Sequence, residues 1–211
     1  MKPHLTIALP KGRLFQDAVN LCTKVNFNVV ALGLGRRLTF EDPEQGVHFL
    51  ILRPVDIPTY VEYGAADVGI VGKDVLEEGD RDVYEPLDLK FGVCRLVVAQ
   101  PRQLPRQRSL TDWSYLRVAT KFPHITERYF SGKGVPVEII QLSGSIELAP
   151  LVGLCECIVD VVETGRTLTE NGLVEVEEIM PITARLIVNR ASQKTKYEQV
   201  TDLIHRVKLV I

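Results

Sequence analysis

An α/β fold of two lobes around a central cleft is what this sequence predicts, and three observations carry the prediction. Short apolar strands alternate with amphipathic helices along the whole chain, the alternation falls into two units, and the strands end repeatedly in glycine or in a cation. The 211 residues suffice for one large or two small domains, and 45% hydrophobic with 25% charged residues is ordinary globular composition. A formal charge of −2 leaves no electrostatic footprint for nucleic acid or an anionic membrane, so the expected ligand is small and any functional positive charge is local.

Met1-Lys2-Pro3-His4 leads directly into a strand-like run without an apolar signal core, and no apolar run reaches the length of a membrane span, so a cytoplasmic location is expected. Cys22, Cys94, Cys155 and Cys157 offer no second half to complete a zinc site and read as buried thiols. His4, His48, His124 and His205 are scattered singly. No protein-held metal is expected.

In the first unit, Leu5–Leu9 reads as a strand, broken by Pro10-Lys11-Gly12-Arg13 before a helix with Leu14, Ala18, Leu21 and Val25 on its apolar face. In an open α/β sheet such turns lie at the carboxyl ends of strands, where ligands collect. Lys11 and Arg13 there either solvate the first helical turn or meet a bound anion, which would relieve their conflict with the helix dipole. Gly33-Leu34-Gly35 precedes the paired Arg36 and Arg37 at the start of a strand ending near Phe40, with an acidic turn at Glu41-Asp42-Pro43. Val47 to Arg53 is a buried strand with a cation at its end. Asp56 is the expected N-cap of a helix ending at Gly64, Asp67–Gly72 is a strand, and Lys73-Asp74 opens the next helix. Four successive strand ends thus carry Lys11 with Arg13, Arg36 with Arg37, Arg53, and Lys73 with Asp74, which points to an anionic ligand.

Lys90–Ala99 reads as a long strand leading into a polar, proline-containing boundary. The second unit has strands at Leu116–Thr120 and Val135–Leu142 and helices at Ile125–Phe130 and Ser145–Leu154. Cys157–Leu168 is then a short strand running into Thr164-Gly165-Arg166-Thr167 and a helix. Gly165 allows close approach of an anion, and the two threonine hydroxyls and the following amides can donate to phosphate. Asp160 and Glu163 repel phosphate but suit ribose hydroxyls. The pattern fits a ribose 5-phosphate; the alternative is an ordinary strand, turn and helix. Strands at Leu173–Ile179 and Thr183–Arg190 and a helix from about Gln193, with Val200, Leu203, Ile204, Val207 and Val210 on one face, complete the chain. The expected lobes are 1–92 with about 185–211, and 93–184, an arrangement that resembles type II periplasmic binding proteins.

These residues together resemble the ATP phosphoribosyltransferases in their short form. The resemblance rests on Pro10-Lys11-Gly12-Arg13-Leu14, on Asp56-Ile57-Pro58-x-Tyr60-Val61, on Gly64-Ala65-x-Asp67-x-Gly69-Ile70-x-Gly72-x-Asp74, and on Glu147 to Leu168. In the last stretch Glu147, Gly153, Ile158, Asp160, Thr164, Gly165, Thr167 and Leu168 have the family spacing, while Cys155 stands where a smaller residue is usual. The resemblance implies a glycosyltransferase (pentosyltransferase) that moves phosphoribosyl from phosphoribosyl diphosphate to N1 of the adenine of ATP, releasing diphosphate, in the first step of histidine biosynthesis. Asp160, Glu163, Thr164, Gly165, Arg166 and Thr167 would bind the sugar donor; Lys11, Gly12, Arg13, Arg37, Lys73 and Asp74 would bind ATP; Arg53 and Arg36 would act catalytically on the polyphosphates. Magnesium (Mg2+) would travel on the diphosphate. A homodimer joining a regulatory subunit similar to histidyl-tRNA synthetase is implied, with histidine insensitivity of the isolated chain. A type I phosphoribosyltransferase is a rival, but its loop acids are usually adjacent, whereas Val161 follows Asp160. A non-catalytic solute-binding module is another.

Overall fold

The computed structural model describes residues 5–29, 37–103 and 115–211. The chain divides into unit 1, Met1–Gly92 with Thr183–Ile211, and unit 2, Val93–Ile182. Unit 1 begins with β1 (Leu5–Pro10), α1 (Phe15–Lys24), β2 (Thr39–Asp42) and β3 (Val47–Leu52), followed by a 3-10 turn at Pro54–Asp56 and α2 (Ile57–Glu62). Then come β4 (Val68–Gly72), α3 (Lys73–Gly79) and β5 (Tyr84–Asp88).

Unit 2 contains β6 (Cys94–Pro101), β7 (Leu116–Thr120), α4 (Pro123–Gly132), β8 (Val137–Gln141), α5 (Leu148–Leu151), β9 (Cys157–Val162), α6 (Arg166–Glu170) and β10 (Leu173–Ile182). The chain returns to unit 1 with β11 (Ala184–Val188), α7 (Ser192–Thr195) and α8 (Tyr197–Lys208).

The unit 1 sheet has the order β2-β3-β1-β4-β11-β5, with β1 parallel to β3 and β4, and β2 and β11 antiparallel to their neighbours. Alternation along β1 sends Leu5, Ile7 and Leu9 to a face covered by α1 and α8, and Ala8 to the opposite face with Ile57, Val61 and Leu76 of α2 and α3. Fully buried Phe49 and Leu9 are worth roughly 1.5–3 kcal/mol each in transfer free energy, which is why the pattern sets the layers. The unit 2 sheet, order β10-β6-β9-β7-β8, likewise has Phe122, Ile125 and Phe130 of the α4 region on one face and Ala149 and Leu168 on the other.

Several local expectations are corrected. Glu41 and Asp42 belong to β2 rather than a turn, and buried Asp42 accepts hydrogen bonds from the amides of Asn28 (2.8 Å) and Gln45 (3.2 Å). Asp56 does stand at the N-cap of α2, but it makes no capping hydrogen bond, because it closes the 3-10 turn in a helical conformation instead of standing extended. The strand β5 has little apolar pattern, since Leu87 is its one buried residue and Pro86 interrupts it; among the described residues it pairs only with β11, as an edge strand. The helix expected over Ser145–Leu154 shrinks to α5, bounded by Ser145 at φ 51° and Gly153 at φ 73°. The last helix is two, separated at Lys196 (φ −122°, ψ 35°), where the ammonium is drawn 2.7 Å from the Oδ2 of buried Asp67.

Candidate active site

In unit 2 the registers Thr120↔Val159 and Thr120↔Gln141 bring the carboxyl ends of parallel β7, β8 and β9 to one edge of the sheet, beside the amino end of antiparallel β6. The Thr-Gly-x-Thr loop leaves this edge. Glu163 and Thr164 are exposed, Gly165 adopts the left-handed conformation (φ 77°, ψ 1°) as the N-cap of α6, and Thr167 is exposed in its first turn. A side chain at Gly165 would meet only Val162 Cγ1, at 3.9 Å, so the backbone angle and not crowding is what demands glycine. The Arg166 amide donates to Thr164 Oγ1 at 3.4 Å, whereas the Arg166 guanidinium donates to Glu170 at 2.7 Å and is thereby directed along α6.

Asp160 lies on β9 with its side chain 13% exposed, and its Oδ1 accepts from the Val161 amide at 2.8 Å. The Lys121 ammonium lies 3.0 Å from the same oxygen. Lys121 escaped the sequence reading, although it obeys the rule that singled out Arg53: it is a cation directly after a strand, here β7.

In unit 1 the registers Pro10↔Leu52 and Ala8↔Gly69 gather the carboxyl ends of β1, β3 and β4 at one sheet edge. The Lys11 amide donates to the Leu52 carbonyl (2.7 Å), Gly12 turns the chain at φ 79°, and its carbonyl accepts from the Phe15 amide (3.0 Å). Lys11, Gly12 and Arg13 are exposed, and Arg13 Nη2 lies 3.4 Å from the Gly92 carbonyl. Arg53 follows β3, exposed, and held extended (φ −65°, ψ 139°) by the following Pro54. Among the described residues its guanidinium has no carboxylate partner. Extending the antiparallel register Thr39↔Leu50 by two residues brings Arg37, also exposed, level with Leu52 at the same edge. Arg36 lies outside the described residues.

Lys73, the first residue of α3, is different. Its ammonium lies 2.7 Å from Glu85 and 3.0 Å from Glu77. Burial works against its charge, but hydrogen bonds to Glu85 and Glu77 outweigh this and raise its pKa above the ordinary lysine value. Its charge is therefore matched within the protein, while that of Arg53 is offered to solvent. The Asp74 carboxylate folds back over Gly72, where an added Cβ would lie 2.2 Å from Oδ1.

All four cysteine thiols are free and buried; burial pushes Cys22 up to about 12 and raises Cys157 further. Among the described residues no group of three or more His, Cys, Asp or Glu side chains is gathered to hold a metal ion, and no helix is long and apolar enough to cross a membrane.

Comparison with known proteins matches residues 53–209 to the family model described as ATP phosphoribosyltransferase. A relative from Syntrophotalea carbinolica of that name is 57% identical over 100% of this chain and 97% of its own length. One from Geobacter metallireducens is 58% identical over 97% of each chain. Among solved structures, the ATP phosphoribosyl transferase (HisG:HisZ) complex from Thermotoga maritima matches with a TM-score of 0.84 and 36% identity, covering 98% of this chain and 97% of that one. The aliphatic sulphonate binding protein SsuA from Escherichia coli, at 12% identity and a TM-score of 0.65 over 99% of this chain and 72% of that one, shares the two-lobed periplasmic-binding-protein fold.

Proposed function

The chain belongs to the ATP phosphoribosyltransferase family, an enzyme family of histidine biosynthesis, and from that premise we propose how its own residues divide the phosphoribosyl transfer. The β9–α6 loop takes the 5-phosphate of phosphoribosyl diphosphate, through the hydroxyls of Thr164 and Thr167 and the amides that follow Gly165. Asp160, with Glu163 nearby, takes the ribose hydroxyls. Lys11, Gly12, Arg13 and Arg37 serve the phosphates of ATP, and Arg53 and Arg36 stabilise negative charge on the polyphosphates. Lys73 and Asp74 are assigned to the ATP side with a structural share, because Glu77 and Glu85 already neutralise the lysine.

Transfer to adenine N1 forms an N–C1 bond as the C1–O bond to diphosphate breaks. The sugar is cationic in the transition state while the leaving group gains charge, so a site of this kind must stabilise both at once. The N1 lone pair attacks directly, and proton loss follows bond formation without a dedicated base. Magnesium enters with the diphosphate as part of the donor, and a cytoplasmic location belongs to the same reading.

The observation that carries the assignment is Gly165 in the left-handed conformation between two exposed threonines, at the carboxyl end of the strand bearing Asp160. Incubation with ATP, phosphoribosyl diphosphate and magnesium should release diphosphate only when all three are present. Binding of either substrate without turnover, in the protein alone and with its regulatory partner, would instead support a solute-binding module.

A further inference from the structure

The described loop of unit 2 presents a charge problem. It offers two carboxylates, Asp160 and Glu163, to a donor that carries phosphate at both ends, and the one arginine within it is paired with Glu170. Hydroxyls and amides can hold a 5-phosphate, but the diphosphate on C1 brings more negative charge next to the sugar hydroxyls that Asp160 is assigned to hold. The fold supplies a cation at that point. Lys121 stands 3.0 Å from Asp160 Oδ1, with its side chain 42% exposed.

Its position is fixed by buried hydroxyls. Thr120 Oγ1 donates to the Val159 carbonyl of β9 (2.8 Å) and accepts from the Phe122 amide (2.9 Å), while Thr126 Oγ1 donates to the Phe122 carbonyl (2.7 Å). Thr120 and Thr126 are wholly buried. The turn carrying Lys121 is thereby bolted to the strand carrying Asp160 at the residue before that acid. A buried, satisfied hydroxyl network of this kind holds a group in place before the ligand arrives.

We propose that Lys121 is a substrate-contacting residue that binds the diphosphate of the sugar donor, held ready by Asp160 until the donor displaces the pair. This rests on the assignment of the loop to phosphoribosyl diphosphate. The ribose 2-hydroxyl is adjacent to C1, so an ammonium paired with the carboxylate that takes the hydroxyls lies on the diphosphate side, whereas the 5-phosphate goes to the threonine loop. When the C1–O bond breaks, its electron pair stays on the diphosphate oxygen. Lys121 remains protonated, and its attraction to that oxygen grows as the bond breaks, so it contributes to kcat as well as to binding.

The test compares wild type with Lys121→Met and Lys121→Arg. It measures kcat, KM for each substrate, inhibition by diphosphate, calorimetric binding of ribose 5-phosphate, and thermal melting. In Lys121→Met we expect kcat/KM for phosphoribosyl diphosphate to fall and the inhibition constant for diphosphate to rise, each at least about tenfold, the usual scale of a lost charge-assisted contact. Ribose 5-phosphate affinity and KM for ATP should stay within about twofold, and Lys121→Arg should recover part of the diphosphate affinity. Unchanged diphosphate inhibition in a folded Lys121→Met protein, or an equal loss of ribose 5-phosphate affinity, would overturn the inference. If Met does not fold there, Lys121→Gln carries the same expectations and the same overturning results. Failure of the wild type to bind ribose 5-phosphate would strike the loop assignment itself.

Discussion

Arg53 presents its charge to solvent at the end of β3 with no carboxylate partner among the described residues, whereas Lys73, at the end of β4, has two. The sequence pattern of a cation ending a strand made the two look equivalent. They differ because Glu77 lies one helical turn along α3 and Glu85 comes from β5, a strand with almost no sequence signal. Arg53→Ala should therefore lower kcat/KM by about ten- to over a hundred-fold, the worth of a charge-assisted hydrogen bond of roughly 1.5–3 kcal/mol. Steady-state kinetics on the folded variant checks this, and unchanged constants would remove Arg53 from the site. Gly165 is a second residue-scale case. Its φ of 77° costs a residue with a Cβ about 1–2 kcal/mol, and more for a branched one. Gly165→Val should keep the far-ultraviolet circular dichroism of the wild type and lose measurable affinity for phosphoribosyl diphosphate by calorimetry.

At the scale of elements, sheet edges are joined by side chains that no local pattern reveals. At the edge of the unit 2 sheet opposite the loop, Glu156, just before β9, accepts from the Arg117 amide (2.8 Å), Nε (3.1 Å) and Nη2 (2.5 Å), tying β9 to β7. Hydrogen bonding from Arg117 holds the Glu156 carboxyl below its ordinary 4.5. A carboxyl with a lowered folded pKa contributes stability that is present above the unfolded value and is lost as pH falls through the folded one. Glu156→Gln should lower Tm at pH 7, and the difference from wild type should shrink below about pH 4.5. With the pair partly exposed, the effect is about 1 kcal/mol or less, or roughly 2–4 °C for a chain of this size. Melting curves from pH 3 to 7 decide it; a difference independent of pH would assign the loss to packing. Buried Asp67 plays the corresponding part in unit 1. It accepts from the Thr6 amide (2.7 Å), Ser192 Oγ (2.5 Å) and Lys196 Nζ (2.7 Å), joining β1, α7 and the break before α8. Asp67→Asn keeps the size but removes the buried negative charge that accepts from all three donors, so a loss of several kcal/mol is expected in chemical unfolding.

For the molecule as a whole, relatives covered to 97% of their own length carry the transferase name. The matched Thermotoga maritima structure is that of a HisG:HisZ complex. Mass photometry should show this chain as a dimer that gains mass when mixed with the histidyl-tRNA-synthetase-like subunit of its own organism, and histidine should inhibit the mixture but not the chain alone. Histidine inhibition of the isolated chain would count against that regulation. The sequence by itself determined the α/β class, most strands, and the Thr-Gly-x-Thr loop, because apolar alternation, strand-ending glycines and a left-handed turn are set within a few residues of chain. Only the tertiary structure decided that Lys73 is neutralised, that Lys121 stands beside Asp160, and that the weakly patterned Tyr84–Asp88 is a strand. Each of these depends on register between segments distant in sequence, and a charge or an edge strand acquires its role only from the neighbour that pairing brings to it.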